Sequence, residues 1–471
     1  MVDCKEDPTH KVFPFMSRSS ESVVIERDTP KGVVIKKILT LAVPIILSNL
    51  LYTVQNIVSL LLVSPLGSLA IAGVGFASTL LWFIYATMAV VYTGVNVLTA
   101  QSVGAGKNAN AITSLGIFLS LIFALPMVFF GKAFVLHFLE LFSTPKEVVD
   151  VALQYLEPIF LLLPFAFATN SINATFNGLG KTKVILYATV FTTLANIGLA
   201  VVLIYGKLGF PKLGVEGAGW AVAVAETLAL LVYLPFLIKE EKVSPLRGGL
   251  FSLRELLDIL KIGLPTGIER LIMSFSYNVF VGLVAVCGAT VLAAFQIGLR
   301  IEAVSFTVGM AFSFAATTIA GQNFGAKNPY GVRVGIKTTL GVAVSIMTLL
   351  GVLIALFSQH LAEFFTRDPK VVEWTVKYLY IIALSQPLMA VIFVLAGAIR
   401  GLGKTKIPLV VNITNFWLVR LLPAMLLLKV YKTPYIPWGT MILENLTRSA
   451  TYLYLYGSKV LKQLQEDKTL R

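Results

Sequence analysis

The hexapeptide GLGKTK occurs twice, at residues 178–183 and again at residues 401–406. Its ending resembles that of a phosphate-binding loop, which needs a further glycine five positions earlier, after a strand, so that backbone N–H groups can surround a phosphate. Those earlier positions hold Thr175 and Ala398, and long apolar runs precede them. The hexapeptide is therefore not a nucleotide-binding motif, and its repetition needs another explanation.

The composition indicates a membrane protein. Hydrophobic residues make up 57% of the 471 residues, charged residues only 13%, and the mean hydropathy is +0.83. Such a chain carries more apolar surface than a soluble protein of this length would bury. Twelve stretches between residues 36 and 457 are long and apolar enough to cross a bilayer as helices, each of which needs about 20 residues. The short alternating strands of an outer-membrane barrel do not fit this pattern.

An internal duplication explains the repeated hexapeptide. Its two copies lie 223 residues apart, and other features recur at nearly the same offset: AQSVGAGKN from residue 100 matches AGQNFGAKN from residue 320, and Pro44 matches Pro265. The sequence predicts an all-α integral membrane protein of twelve transmembrane helices in two six-helix lobes. Each lobe has an even number of spans, so the lobes are related by a parallel pseudo-two-fold repeat. GLGKTK then becomes a turn between helices, in which glycines supply the turn conformations.

Basic residues predict the orientation of these segments. Most of the 38 Lys and Arg residues fall on one side of the membrane, which is expected to be the cytoplasmic side. Both termini should then be cytoplasmic, and anionic lipid headgroups rather than nucleic acid explain the net charge of +14. The predicted parts are a cytoplasmic N-terminal tail (1–35), a first lobe (36–238), a cytoplasmic linker (239–257), a second lobe (258–457) and a cytoplasmic C-terminal tail (458–471).

The paired QxxGA and GLGKTK loops, the proline near the start of the first and seventh spans, and the duplicated twelve-helix plan resemble the multidrug and toxic compound extrusion (MATE) family. The likeness runs over roughly residues 36–457. It implies a secondary antiporter of the cell membrane that exports amphipathic, often cationic, small molecules in exchange for H⁺ or Na⁺ as its lobes rock. No cofactor is expected, and a monomer is expected because the two lobes already form a closed pair.

Ionisable residues inside spans are costly and are therefore candidates for function. Glu269 lies four residues after Pro265, and a proline frees a backbone carbonyl and lets a helix bend, which suits a gate. Pro44 has the equivalent place in the first span. The helical face of Glu269 continues through Met273 and Ser276, both candidates for the substrate cleft. An acid in this helix recurs in proton-coupled MATE members, which favours Glu269 as the chief coupling residue over the alternative, an arginine-paired Glu that serves packing alone.

Glu302 is a second ion-coupling candidate. It lies two residues after Arg300 in QIGLRIEAVSF, so the two side chains point to different sides of their helix. Arg300 and Gln296 are expected in the substrate cleft, although a structural ion pair of Arg300 with another helix is an equal alternative.

Glu226 and Glu444 correspond under the repeat, each six residues after a tryptophan. Glu444 can reach Arg448 one helical turn later, so the sequence predicts a structural pair there. Glu226 has no such neighbour and remains an ion-coupling candidate.

The first lobe departs from the family pattern. Many prokaryotic members carry one Asp in the first helix, in an N-x-x-D setting, and another in the fifth helix shortly after an Asn. Here those positions hold Ser59, after Asn56, and Ala200, after Asn196. Asn56, Ser59 and Asn196 can form hydrogen bonds and are cleft candidates, but none can exchange a proton near neutral pH. Ion coupling would then rest on the second lobe, and an uncoupled transporter stays open.

Two other classes of function compete. A flippase for lipids or lipid-linked saccharides would share the repeat, but its cleft should hold a basic cluster for a diphosphate, and the intramembrane arginines are scattered. A membrane enzyme would need a concentrated catalytic constellation, which is not seen. No metal site is expected, because the His137/Glu140 and His360/Glu363 pairs lack zinc-site spacing. A proton is favoured over Na⁺, which needs several oxygen ligands.

Overall fold

The computed structural model describes residues 23–141, 145–247 and 252–460, and regular structure within these ranges is helical. The first half contains α1 (Lys31–Val63), α2 (Ser68–Gly104), α3 (Asn110–Leu141), α4 (Lys146–Leu179), α5 (Thr182–Tyr205) and α6 (Val215–Lys239). The second half contains α7 (Leu253–Ala285), α8 (Ala289–Gly325), α9 (Pro329–Leu356), the short α10 (Ser358–Phe365), α11 (Pro369–Gly401), α12 (Lys406–Asn415), α13 (Leu422–Leu427) and α14 (Tyr435–Tyr454).

Eleven helical segments of the described chain are long and apolar enough to cross a membrane. One of them joins α12 to α13 through a π-helical turn at Phe416–Leu421. The twelfth long helix, α14, is less apolar because Glu444 and Arg448 are among its buried residues. With α14 included, the predicted plan of twelve spans in two six-helix lobes is confirmed. The first lobe is α1–α6 and the second lobe is α7–α14.

The second glycine of each GLGKTK copy makes the turn that the sequence predicts. Gly180 and Gly403 have φ angles of +82° and +76°, a left-handed conformation that glycine adopts without steric cost. In the first copy Lys181 donates its N–H to the carbonyl of Phe176, which satisfies the end of α4. The second copy repeats this bond between Lys404 and residue 399.

The first glycine of each copy has a different role from the second. Gly178 lies inside α4, where a Cβ atom would stand 2.5 Å from the carbonyl oxygen of Asn96 on α2. Gly401 lies inside α11, where a Cβ atom would stand 2.3 Å from the carbonyl oxygen of Thr317 on α8. Glycine at these positions therefore lets two pairs of helices touch backbone to backbone.

The hydrophobic cores differ between the two ends of the bundle. We call the end that bears both GLGKTK turns the basic end. At the opposite end each lobe has its own core, with Leu156 in the first and Phe280 in the second. At the basic end the cores are shared, since Ile259 of α7 packs in the first lobe and Ile38 of α1 packs in the second. The two lobes are therefore joined at the basic end and separate at the other.

Candidate functional site

Two hydrogen bonds between the lobes close the basic end. The side-chain amide of Gln101, on α2, donates to the carbonyl of Gly401 on α11 at 2.9 Å. The amide of Gln322, on α8, donates to the carbonyl of Gly178 on α4 at 3.0 Å. The bonds are related by the pseudo-two-fold repeat, because both the glutamines and the glycines are repeat partners. Each bond joins the QxxGA motif of one lobe to the GLGKTK motif of the other, and we call the pair the glutamine lock.

Close backbone contact accompanies the glutamine lock. A Cβ atom on Gly104 would stand 1.9 Å from the carbonyl oxygen of Gln322, and one on Gly325 would stand 1.9 Å from the carbonyl oxygen of Gln101. No side chain fits at such a distance, so the QxxGA glycines let the last turns of α2 and α8 meet directly. The two repeated sequence motifs thus form one structural closure.

A cleft lies beyond this closure. Contact between α7 and α2 continues toward the middle of the bundle, where a Cβ atom on Gly263 would stand 1.7 Å from the carbonyl oxygen of Val90. Farther toward the opposite end, the hydrogen bonds and core clusters of the described residues stay within one lobe. Arg270, one turn beyond Gly267 on the face of α7 that meets Val90, is exposed there. The space between the lobes therefore opens toward the opposite end.

Glu269 lies in a charged cluster of the second lobe. Arg400 Nη2, from α11, donates to its Oε1 and Oε2 at 2.7 and 3.0 Å. Asn412 Nδ2, from α12, donates to Oε1 at 2.6 Å, and Tyr452 of α14 donates to Asn412 Oδ1 at 2.9 Å. The carboxylate side chain is 7% exposed and that of Arg400 is 20% exposed. Glu269 thus joins α7 to three helices and is paired with an arginine, as the alternative considered from the sequence has it.

A second charged cluster lies deeper in the same lobe. Glu444 is fully buried, and its oxygens lie 2.7 Å from Arg420 Nη2 and 3.0 Å from Arg448 Nε. The guanidinium of Arg420 also lies over the rings of Phe280 and Phe416, at 5.2 and 4.7 Å from their centres. Glu444 therefore contacts the expected Arg448 and also Arg420, which holds α14 against the π-helical turn.

Glu302 lies near the second charged cluster. It is partly accessible, and it lies within electrostatic range of Arg420 and beside Tyr378. Arg300 and Gln296 are exposed on a different side of α8, so the predicted separation of Arg300 from Glu302 around the helix is seen. Arg300 forms no ion pair within the described ranges.

Glu226 has a different environment, in the first lobe. It lies within electrostatic range of three tyrosines, Tyr52 of α1, Tyr85 of α2 and Tyr233 of α6. Thr169 of α4 donates to its backbone carbonyl at 3.3 Å. The side chain is partly accessible, and it takes part in no ion pair in the part of the chain that the structure describes. A carboxyl group among aromatic rings is a surface that could receive a cation.

Neutral residues, Ser59 and Ala200, occupy the two positions at which many family members carry Asp. Ser59 donates to Asn196 Oδ1 at 3.2 Å, and one turn away Thr193 donates to Gln55 Oε1 at 3.0 Å. These bonds form a seam between α1 and α5. Asn56 points to the exposed side of α1, while the second Asp position, Ala200, is packed in the core of the first lobe.

The remaining predicted residues lie away from open space. Ser276 is buried, donates to Ile272 and accepts from Trp417 Nε1 at 2.9 Å. Met273 packs against the core of the second lobe. Pro44 and Pro265 are buried inside α1 and α7. Ser276 is therefore buried in this conformation, because its face of α7 turns toward the π-helical turn at Phe416–Leu421.

Sequence reasoning missed Gln101, Gln322, Arg400, Asn412 and Tyr452. A signal for the pairing of Arg400 with Glu269 was present in the repeat. The repeat partner of Glu269 is Ser48, and the repeat partner of Arg400 is Asn177. Two charges that appear together in one half, at positions that are neutral in the other half, are candidates for pairing.

Comparison with known proteins agrees with this architecture. The MatE family model matches residues 44–202 and 265–426, so each match begins at one of the repeated prolines. The chain is 27% identical over 430 residues to the "Probable multidrug resistance protein NorM" of Thermotoga maritima, covering 90% of this chain and 92% of the relative. It is 30% identical over 396 residues to the "Probable multidrug resistance protein YpnP" of Bacillus subtilis, covering 83% and 88%. The solved MATE transporter VcmN of Vibrio cholerae, in its bent form, superposes with a TM-score of 0.84 at 17% identity, covering 93% of this chain and 99% of that one.

Proposed function

The chain belongs to the MatE family of multi-pass membrane transporters, which confirms the resemblance seen in its sequence, and from this premise we propose that it is a secondary active multidrug efflux antiporter. It acts as a monomer in the plasma membrane and exports amphipathic, mainly cationic, small molecules in exchange for H⁺. Its lobes give alternating access to the cleft. The basic end and both termini face the cytoplasm, because the loops at that end carry most of the Lys and Arg.

The contrast between the two ends of the bundle is the observation that carries this proposal. At the basic end Gln101, Gln322 and the QxxGA glycines hold the lobes together. At the opposite end each lobe keeps a separate core. A closure made of a few hydrogen bonds and glycine contacts can separate while the lobe cores stay intact, which is what a rocking mechanism requires. In this conformation the cleft is then open to the outside of the cell.

Glu269 is the proposed coupling acid, because its ion pair is linked to the glutamine lock. Arg400, which binds Glu269, is followed directly by Gly401, the acceptor of Gln101. A proton that enters from the outward-open cleft neutralises Glu269 and removes the charge that holds Arg400. The end of α11 is then less constrained, so the basic end opens more easily. Protons thus enter from outside and leave toward the cytoplasm, the order that antiport requires.

The proposed site for a cationic substrate is the first-lobe wall of the cleft. Glu226 supplies negative charge, and the partly accessible Tyr52 and Tyr85 lie within electrostatic range of it. Aromatic faces and a carboxylate attract organic cations without demanding one shape. Glu302 is a second acid, in the second lobe, and Gln296 and Arg300 lie on another side of the same helix. The substrate and the proton therefore bind to different residues. Binding of one affects the other only through the movement of the lobes.

A transport assay tests this function. The purified protein is placed in sealed liposomes with a fluorescent organic cation, and a pH gradient and a Na⁺ gradient are applied separately. Uphill movement of the cation under the pH gradient is expected. Movement under the Na⁺ gradient alone would assign Na⁺ as the coupling ion. Transfer of labelled lipid between leaflets, with no gradient-driven movement of the cation, would overturn the proposal in favour of a lipid or lipid-linked saccharide flippase.

A further inference from the structure

Residues 23–26, directly before α1, are bound along the second lobe at the basic end. The N–H groups of Val23 and Ile25 donate to Gln322 Oε1 and Asn323 Oδ1, both at 2.9 Å. The carbonyl groups of the same two residues accept from Asn323 Nδ2 at 3.3 Å and from Asn328 Nδ2 at 2.7 Å. We call residues 23–26 the N-terminal strap.

The N-terminal strap also fills part of the second-lobe core. Val23 is 5% exposed and Ile25 is 1% exposed. The side chain of Ile25 lies against Gly335 of α9, where a Cβ atom would stand 2.8 Å from Ile25 Cδ1. A bulkier residue at Gly335 would therefore have to move the end of the Ile25 side chain. This end of the predicted tail is thus a packed part of the fold.

The strap orients one side chain of the glutamine lock. A glutamine amide has one acceptor oxygen and one donor nitrogen. Val23 occupies the oxygen of Gln322, so the nitrogen points toward the carbonyl of Gly178 in the first lobe. The strap is continuous with α1, and Lys37 of α1 donates to the carbonyl of Val24 at 2.9 Å. A segment tied to the first lobe therefore holds a residue of the second lobe in its locking position.

The second half of the chain contains a segment that corresponds to the N-terminal strap. Residues 242–247, which precede α7, lie on the first lobe, and their Lys242 carbonyl accepts the Ala109 N–H at 2.7 Å. Val243 is fully buried in the first-lobe core. The segment before the first helix of each lobe thus packs on the other lobe, beside its QxxGA loop. Of these two segments, as far as the structure describes them, only the N-terminal strap forms a hydrogen bond with a glutamine of the lock.

We propose that the N-terminal strap is a latch that keeps the basic end shut and that leaves Gln322 and Asn323 each time this end opens. The proposal rests on the alternating access of the proposed function. Opening the basic end breaks the bond between Gln322 and Gly178 and moves α8 away from α4. The strap is linked to α1 by only four residues, 27–30, so a movement of the start of α1 with the first lobe pulls the strap away from α8.

The first test removes the two N–H donors of the strap. The double variant Val23→Pro/Ile25→Pro lacks both, because proline has no N–H. Val24→Pro is the matched control, since the described bond of Val24 is made by its carbonyl. Spin labels on Lys183→Cys and Lys406→Cys, with Cys4 and Cys287 changed to Ser, report the separation of the lobes at the basic end. We expect the widely separated population to rise at least about fivefold in the double variant and not in the control. Equal populations would overturn the latch.

The second test fixes the strap to the second lobe. The variant Ile25→Cys/Gly335→Cys is oxidised to a disulfide in the same cysteine-free background, and exchange of labelled substrate across liposomes is measured. We expect exchange to fall at least about tenfold and to return on reduction, while the single variants are unaffected by oxidant. Full exchange with the disulfide formed would show that α1 bends at Pro44 and that the strap stays on α8, which overturns the latch. A wild-type protein without exchange would instead contradict the proposed function.

Discussion

Arg400 Nη2 binds both carboxylate oxygens of Glu269, at 2.7 and 3.0 Å, one residue before the Gly401 carbonyl accepts the amide of Gln101. One helix end therefore carries both a buried ion pair of the second lobe and an anchor of the lobe closure. In the proposed function, this arrangement links the charge of an intramembrane acid to the opening of the basic end. The GLGKTK motif therefore has a second role besides its turn, because its first glycine supplies the carbonyl that Gln101 binds.

Neutralising Glu269 should loosen the basic end. Glu269→Gln keeps the size of the side chain but removes the charge that holds Arg400, and hydrogen bonds to charged groups contribute about 1.5–3 kcal/mol. We expect the population with widely separated spin labels at positions 183 and 406 to rise about tenfold. Glu302→Gln, an acid that does not contact Arg400, is the control and should leave the distances unchanged. The same distance distribution in all three proteins would show that Glu269 and the lock are independent.

Removing one amide of the glutamine lock should have a smaller effect in the same direction. Gln101→Ala loses a hydrogen bond that contributes about 1 kcal/mol, which corresponds to about a fivefold change in the opening equilibrium. Gln322→Ala should shift it further, since Gln322 also binds the strap through Val23. The measurement is the spin-label distance at the basic end. Ser102→Ala, the neighbour of Gln101, serves as the reference, and an equal shift in that variant would rule out a specific role for the amides.

A methyl group at Gly104 should prevent closure. Its Cβ atom would stand 1.9 Å from a backbone oxygen of α8, so the lobes must separate to accommodate Gly104→Ala. We expect this variant to lose gradient-driven transport while it still inserts and folds. Gly75→Ala on the same helix meets open space and should transport normally. Normal transport by Gly104→Ala would mean that the basic end closes differently during the cycle.

The second charged cluster should matter for stability. Glu444→Gln leaves Arg420 and Arg448 buried without a full counter-charge, a change that costs about 3–5 kcal/mol. We expect a clear drop in the midpoint of thermal unfolding in detergent. The matched control is Glu157→Gln, which breaks the exposed pair with Lys132 and should change stability by less than about 1 kcal/mol. Similar midpoints for both variants would show that α14 is held by its apolar contacts alone.

Most of the architecture follows from the sequence, because it depends on composition and repetition. Twelve apolar stretches and the constant offset between GLGKTK copies determine the number of spans and the two lobes. The contact of Glu444 with Arg448 follows from helical spacing. These features depend on residues that are near each other in the chain or related by the repeat.

The partners of isolated charged residues could not be predicted from spacing or repetition. Glu269 and Arg400 are separated by 131 positions, and the sequence alone does not say which face of α7 turns inward. Ser276 illustrates the same difficulty, since its face of α7 meets Trp417 rather than the cleft. The packing of the strap could not be predicted either. Val23 and Ile25 are too few apolar residues, in a charged segment, to give a periodic signal.

The measurement that tests the account most directly compares wild type, Glu269→Gln and Glu226→Gln in sealed liposomes, in two assays of the same fluorescent cation. One assay records uphill movement driven by a pH gradient, and the other records exchange of labelled for unlabelled cation with no gradient. We expect Glu269→Gln to lose the uphill movement but keep the exchange, and Glu226→Gln to weaken both because it binds the cation less well. Uphill movement that persists in Glu269→Gln would contradict the assignment of Glu269 as the coupling acid.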